Sequence, residues 1–406
     1  MSDSVKQYVI VGNGVAGTMA AETLRRADPS CRILLFGSEP YPLYNRVGLP
    51  PMLKKKTPPE KVFMRTRERH QELRIDLKLS TPVASIHPEE KLVLDETGAA
   101  YRYDALLLAT GGRPWPLEVP GGDLKHVYNF QTFDDTQAIM HRVLESKNAV
   151  VTGGSYIAYE LAEGFHERGL NVTWLIRGPH FLRRVISADG GALVDKIACG
   201  HGVNIVYGEE VAEALGQDGV VKTVVTTGRK RLDADLVGVG QGLQMNTELA
   251  QAAGLRVAKG IVTDEYLQTS LPGIYAAGDV AEFWDVAIGQ HNIMGTWNNA
   301  SSHGRVAGFN MAGGRQVYRE VPTYTTTMFH TRMSVVGITP ESKQGLESLS
   351  RVDMETDNFR QLFFWENRLV GAVVIGDLKA RSEYQRQIQA GAVITEAAER
   401  QRLLAL

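Results

Sequence analysis

Short apolar runs bounded by polar turns recur along the chain, and their lengths suit strands buried on both faces. The first is Tyr8–Val11, the second lies in Arg32–Phe36, and a helical pattern from Thr18 to Arg26 joins them. Between Pro40 and Pro59 repeated prolines forbid a long regular element, which predicts an ordered loop with short helical pieces. Residues 75–95 and 101–109 alternate like strands around turn chemistry at Glu96–Gly98. The run Ala105–Ala109 reads as a buried strand, stopped by the turn Thr110-Gly111-Gly112-Arg113-Pro114. The pattern then restarts with a helix over Phe133–Glu145 and a buried strand over Asn148–Val151. Residues 202–239 read as short strands with turns, GIYAAGDVAEF as a strand running into Gly278-Asp279, and Trp297–Met311 as a helix. Strand-like runs follow at 333–337, 361–365 and 369–375, and a terminal helix is predicted over roughly 391–404.

The first strand passes into Gly12-Asn13-Gly14-Val15-Ala16-Gly17, a G-x-G-x-x-G placed where strand gives way to helix. Gly12 permits the tight turn, Gly14 lets backbone approach a pyrophosphate, and Gly17 lets the helix pack close to the strand. The helix N-terminus then faces the anion. An acid about 20 residues further on is needed for a ribose, and Glu39 stands there. The stretch TGGSYIAYELAEGFHERGLNVTWLIRG repeats this unit, its first glycine 141 positions after Gly12. It is a divergent internal duplication of a dinucleotide-binding unit. The fold class expected is therefore α/β: two Rossmann-like dinucleotide-binding domains, the second inserted in the first, plus a C-terminal α+β domain. The boundaries expected are 1–118 and 246–320 for the first domain, 119–245 for the second and 321–406 for the third.

The repeat departs from the pattern, reading Gly153-Gly154-Ser155-Tyr156-Ile157-Ala158. Alanine at the third place is an accepted variant. Serine at the second adds a Cβ where backbone should approach phosphate, which predicts modest affinity. After the strand WLI comes Arg177, with Arg183 and Arg184 close behind. An acid there would accept from a ribose 2′-OH, whereas arginine accommodates a 2′-phosphate. The reading favours NADPH; a solvated Arg177, with either nucleotide accepted, is the alternative.

At 406 residues the chain is long enough for two or three domains. A net charge of −2 gives no reason to expect nucleic acid or bulk membrane attraction. No apolar run reaches the roughly 18 residues of a membrane span. The N-terminus is polar and enters the first strand by residue 8, so a cytoplasmic protein without a signal peptide is expected. The two cysteines, Cys31 and Cys199, form no C-x-x-C pair and read as structural thiols. His291, His303 and His330 show no metal-ligand spacing, so no metal is assigned.

Three further segments, ALLLATGGRPWP, LVGVGQGLQMNTELAQAAGL and GIYAAGDVAE, resemble in order the conserved turns of two-dinucleotide-binding-domain flavoproteins, the pyridine nucleotide-disulfide reductase superfamily. Met245 stands where the middle segment usually has proline. EPYPLYNRVGLP is similar to the corresponding loop of rubredoxin and ferredoxin reductases and of the flavin module of NAD(P)H-dependent assimilatory nitrite reductase. VPTYTTTMFHTRMSVVGIT looks like the start of the family's C-terminal interface domain. The resemblance implies FAD on the first unit and NADPH or NADH on the second. It places Gly12, Gly14, Val15, Ala16 and Gly17 at the pyrophosphate, Glu39 at the adenosine ribose, and Arg46 at adenine or phosphate. Val83, Thr110 and Gly111 join the FAD site, and Asp279 reaches the ribityl chain or pyrophosphate, a helix N-cap being its alternative role. Trp297 falls beside the isoalloxazine or, alternatively, in the core. For the second nucleotide it implies Gly153, Ser155, Tyr156, Ile157, Ala158, Glu160, Arg177 and Gly240. The family's flavin-proximal lysine falls at Pro51, which removes the expected partner of Glu160.

Hydride transfer relies on the cofactor, so no catalytic protein residue is assigned. Disulfide-reducing relatives carry cysteine in a C-G-L-P context, and here that context is Val47-Gly48-Leu49-Pro50, which excludes thiol chemistry. The resulting expectation is an FAD-dependent NAD(P)H oxidoreductase that feeds a small electron carrier of rubredoxin or ferredoxin type. Lys54–Lys56 with Arg65, Arg67 and Arg69 form either a docking patch for an acidic carrier or a solvated face. A homodimer is among the assemblies considered. A flavin NAD(P)H oxidase or quinone reductase is one alternative; a nucleotide-sensing interaction module is the other.

Overall fold

The computed structural model describes residues 5–406. They divide into two compact units, the first built from residues up to 45 with 60–113 and 245–322, the second from 46–59, 114–244 and 323–406.

The first unit is organised on a five-stranded parallel sheet. Its order is Ile274–Ala276, Ala105–Leu108, Gln7–Val11, Arg32–Phe36 and Ile75–Lys78. The central strand is almost wholly buried, as its uninterrupted apolar run requires. Helix Val15–Ala27 follows it, and helix Trp297–Met311 lies against that helix. The two approach backbone to backbone: a Cβ on Gly304 would overlap the Ala16 carbonyl oxygen, and one on Gly308 would lie 2.6 Å from that of Ala20. The region between Pro40 and Pro59 holds only short helices, Leu49–Leu53 among them, as its prolines dictate.

The second unit repeats the first. Its five parallel strands run Val127–Asn129, Leu236–Val239, Asn148–Thr152, Asn171–Ile176 and Asn204–Tyr207. Four of these strands repeat the order of the first sheet, so the duplication read in the sequence is a duplication of topology; the edge strand differs, Val127–Asn129 preceding its sheet-mates in the chain and Ile274–Ala276 following its own. Helix Phe133–Val143 opens with a capping box between Thr132 and Asp135. The remainder of the unit is a five-stranded antiparallel sheet, ordered Thr323–Met328, Thr331–Gly337, Arg368–Ile375, Asn358–Trp365, Glu347–Asp353. Helices Arg381–Ala390 and Ala397–Leu404 accompany it.

Three expectations change here. The terminal helix starts later than expected, at Ala397, and a separate helix, Arg381–Ala390, precedes it and is ended by Gly391 at φ 59°. The sequence pattern hides Arg381–Ala390 because Tyr384 is its one buried residue. Gly112–Pro114, read as turn, is a short strand. Strands Thr323–Met328 and Glu347–Asp353 lack apolar alternation, being threonine-rich and exposed respectively.

Within the second unit, helix Tyr156–Glu167 is the junction. Leu53 packs where a Cβ on Gly164 would lie 2.6 Å from its side chain, and Arg168 donates to the Leu53 carbonyl at 3.0 Å. Beside them Lys54 bonds Glu163 at 2.8 Å, with side chains 9% and 2% exposed. The other Glu163 oxygen accepts from the backbone N–H of Phe329 at 2.8 Å. A buried pair broken on one side strands the remaining charge, at a cost of about 3–5 kcal/mol. Glu163→Ala is therefore expected to destabilise the protein by that amount in denaturant titration. The double variant K54M/E163L retains only the unpaired Phe329 N–H, about 1–3 kcal/mol. Equal losses in both would remove the ion pair from the account.

Candidate functional site

Each sheet ends its central strand in a glycine that a side chain would obstruct. Gly12 has φ 111°, and a Cβ there would overlap the carbonyl oxygen of Ala109, the residue just past the neighbouring strand. Gly153 has φ 123° and stands in the same relation to the carbonyl of Gly240. Gly17 is excluded from bearing a side chain by the carbonyl of Gly12. Ala158, its counterpart, is accommodated and fully buried.

The first turn suits a pyrophosphate. Gly14 is the N-cap of helix Val15–Ala27, brings no side chain to its first amides, and has nothing within 4 Å of its absent Cβ. Val15, Ala16 and Gly17 thus present backbone N–H groups and the positive end of the helix dipole. Glu39 follows the second strand, and its carboxylate accepts from the buried Tyr44 hydroxyl at 2.7 Å, which fixes its orientation. Thr110 and Gly111 follow the strand Ala105–Leu108 and are stapled by Asn246. Its amide donates to the Thr110 carbonyl at 2.8 Å, and its backbone carbonyl accepts from the Thr110 hydroxyl at 2.8 Å. Sequence reasoning passed over Asn246, although it closes the segment in which Met245 replaces the usual proline.

Asp279 is half-buried after Gly278, whose φ of 80° and approach to Ala16 set it near the start of the first helix. The chain runs on into strand Ala281–Asp285, so Asp279 is not a helix N-cap. Trp297 is the first residue of its helix and half-buried, outside the core clusters; the buried tryptophan is Trp174, which donates to the Gly153 carbonyl at 2.7 Å. Val83 lies in the separate antiparallel sheet of the first unit. Arg46 belongs to the second unit, where it donates to the Gln131 carbonyl at 2.8 Å.

In the second turn Ser155 is the N-cap. Its hydroxyl donates to the Gly240 carbonyl at 2.8 Å and accepts from the Ala158 amide at 3.3 Å. One helix amide that the first turn leaves for an anion is taken up here by the protein. Tyr156 and Ile157 supply the next N–H groups of the helix. Arg177 ends the strand Asn171–Ile176, 69% exposed, and faces Glu210 at 3.5 Å. Glu210 is held in place: its amide donates to the Thr227 hydroxyl at 3.2 Å, and its carbonyl accepts from the Thr227 amide at 2.9 Å.

Glu160 sits one turn into the same helix, half-buried, and accepts from the Tyr324 hydroxyl at 3.2 Å. Burial pushes its carboxyl up to about 7; the Tyr324 hydrogen bond and Lys54 act against that rise. Lys54 itself bonds Glu163, not Glu160. The sequence held no local signal for Tyr324, which a separate sheet brings to this helix. Two members of the basic stretch are drawn inward, Lys54 to Glu163 and Arg65 to Glu22. Lys56 and Arg69 pair with Glu167 and Glu72 but stay exposed, as do Lys55 and Arg67. His303 is a core residue between Phe283 and Tyr318, its imidazole pushed down to about 3 by burial. Among the described residues no helix is long and apolar enough to cross a membrane.

These paired nucleotide folds agree with the relatives of the chain. Residues 6–304 match the pyridine nucleotide-disulphide oxidoreductase family, and residues 328–392 match the rubredoxin NAD+ reductase C-terminal domain. The chain belongs to the pyridine nucleotide-disulphide oxidoreductases, and its cofactors are FAD and NAD(P)H. Nitrite reductase [NAD(P)H] of Bacillus subtilis is 29% identical over 96% of this chain, which spans 48% of that protein's length. The ferredoxin–NAD(+) reductase component of the 3-phenylpropionate/cinnamic acid dioxygenase of Photorhabdus laumondii is 32% identical, covering 91% of this chain and 92% of its own. The solved covalent putidaredoxin reductase–putidaredoxin complex superposes with a TM-score of 0.91 at 27% identity, over 99% of both chains.

The two N-caps give a direct comparison. Glycine is nearly as good a cap as serine, within a few tenths of a kcal/mol. Ser155→Gly is expected to leave thermal stability almost unchanged and to tighten nucleotide binding severalfold, read as a dissociation constant by fluorescence titration. Weakened binding would mean that the serine hydroxyl assists the nucleotide.

Proposed function

We propose that the chain carries electrons from NAD(P)H through FAD to a small electron-carrier protein of rubredoxin or ferredoxin type, in the cytoplasm. The observation that carries this reading is the pair of matching glycine turns in one chain, with no cysteine at either. Cys31 is buried just before strand Arg32–Phe36, beside Arg25, and Cys199 is exposed near the end of helix Ala188–Gly200. Thiol relay has no residue to run on, and FAD when bound supplies both hydride acceptance and single-electron donation. The protein's share is to cradle each pyrophosphate on a helix N-terminus and to orient the ribose through Glu39. Gly12, Gly14, Val15, Ala16, Gly17, Glu39, Thr110, Gly111 and Asp279 serve FAD in this reading, with Trp297 beside the ring. Gly153, Ser155, Tyr156, Ile157, Ala158, Glu160, Arg177 and Gly240 serve the nicotinamide nucleotide. The relatives that pass electrons to ferredoxin-type proteins support the choice of acceptor.

Arg177 selects the 2′-phosphate of NADPH by exchanging Glu210 for the phosphate. Charge-assisted hydrogen bonds of this kind contribute about 1.5–3 kcal/mol. Arg177→Asp is thus expected to shift the ratio of NADPH to NADH efficiency by about tenfold or more toward NADH. An unchanged ratio would mean that Arg177 is a solvated side chain. The acceptor is tested by steady-state turnover with a rubredoxin or a [2Fe–2S] ferredoxin, against oxygen and a quinone. Turnover of about 1–1000 per second with a carrier protein, and far less with the small molecules, is expected. The reverse ranking would make the chain an oxidase or quinone reductase.

A further inference from the structure

Of the three carboxylates on helix Tyr156–Glu167, Glu160 and Glu163 stand three residues apart on one face. A single cation serves them. Lys54 bonds one Glu163 oxygen and the Phe329 amide bonds the other, each at 2.8 Å, so Glu163 is satisfied as a carboxylate. Glu160 receives a neutral phenol, Tyr324, at 3.2 Å. Around it lie Tyr156, whose ring centroid is 4.5 Å from that of Tyr324, the buried Tyr159, which bonds Thr326, and Glu163. From the neighbouring elements, Tyr324 on strand Thr323–Met328 and Lys54 at the end of helix Leu49–Leu53 are the ionisable groups that act on it. Burial and Glu163 favour the protonated form, while Tyr324 and Lys54 favour the charged one, and the balance sits near neutrality.

The nicotinamide ring is a cation when oxidised and uncharged when reduced. An arriving cation favours a carboxylate; an arriving uncharged ring that expels water favours the acid. Resting on the reading that the second glycine turn seats NAD(P)H, we propose that Glu160 is a proton-holding residue of that site. Its carboxylate takes up one proton from solvent when the reduced nucleotide binds, and its acid form returns that proton to solvent when the bound ring is oxidised. The proton moves between the Glu160 carboxyl oxygen and bulk buffer, and no bond of the nucleotide is made or broken in the exchange. Glu160 thereby couples nucleotide occupancy to the redox state of the ring.

The test uses the FAD-loaded protein with NADP+ and with 1,4,5,6-tetrahydro-NADP, an uncharged-ring analogue that gives no hydride. Calorimetry in two buffers of different ionisation enthalpy counts the protons exchanged on binding. At pH 7 about half a proton should be taken up with the tetrahydro form and a comparable fraction released with NADP+. Glu160→Gln, titrated to saturation with each nucleotide, should abolish both exchanges. Tyr324→Phe removes a hydrogen bond that favours the carboxylate, so it should move the pH of half-exchange upward. Buffer-independent heats in the parent protein, exchange of one sign with both ligands, or exchange that persists in the Gln variant would overturn the assignment alone. Absence of binding by both nucleotides would overturn the nucleotide reading and this inference with it.

Discussion

At the end of the central strand of each sheet, backbone lies on backbone where a side chain would normally intervene. Gly12 rests against the carbonyl of Ala109, and Gly153 against that of Gly240. This contact turns the chain sharply enough for the next residues to start a helix over the carboxyl ends of the strands. At the first of these turns a ligand phosphate would meet backbone amides with no side chain between. The first unit takes the constraint further, because Gly17 lies on Gly12 and Gly304 and Gly308 lie on Ala16 and Ala20. Its nucleotide helix is therefore fixed from two sides. The second unit relaxes the same design: Ala158 replaces the third glycine, and Ser155 spends its hydroxyl capping the helix. A fixed cradle suits a cofactor that stays bound, and a partly self-satisfied one suits a nucleotide that exchanges at each turnover.

The second nucleotide helix also anchors the C-terminal sheet. Glu163 holds the Phe329 amide, Tyr159 bonds Thr326, and Glu160 accepts from Tyr324. Phe329 and His330 form a two-residue hairpin turn with φ of 43° and 72°, a conformation that non-glycine residues adopt at a cost. The Glu163 carboxylate on the Phe329 amide, with the stacked His201 and Phe329 rings, offsets that cost. The residues that would touch the nucleotide and those that secure the C-terminal sheet thus share one helix, on which Lys54 bonds Glu163 and Glu160 is left to Tyr324.

Much of this was legible in the sequence because it rests on local rules. Glycine spacing, buried apolar runs and the 141-residue repeat located both nucleotide folds, and the helix expected from about Trp297 to Met311 is present. What the sequence concealed depends on contacts far apart along the chain. Asn246 stapling Thr110, Tyr324 reaching Glu160 and Glu210 facing Arg177 each join separate elements. That Lys54 and Arg65 turn inward from an otherwise exposed basic run was hidden because their acidic partners, Glu163 and Glu22, lie far off along the chain. The polar strand Thr323–Met328 has no apolar period to reveal it, since its side chains meet polar groups on the nucleotide helix.

If both glycine turns are working nucleotide sites, a reduced nicotinamide nucleotide should reduce the flavin. The decisive measurement is anaerobic mixing of the FAD-loaded protein with NADPH, and separately with NADH, followed by flavin absorbance in a stopped-flow instrument. Bleaching at about 1 per second or faster, within the ordinary range of enzyme turnover, is expected, with NADPH ahead of NADH. Bleaching slower than that with both nucleotides would contradict this reading and leave the second fold as a binding or sensing module.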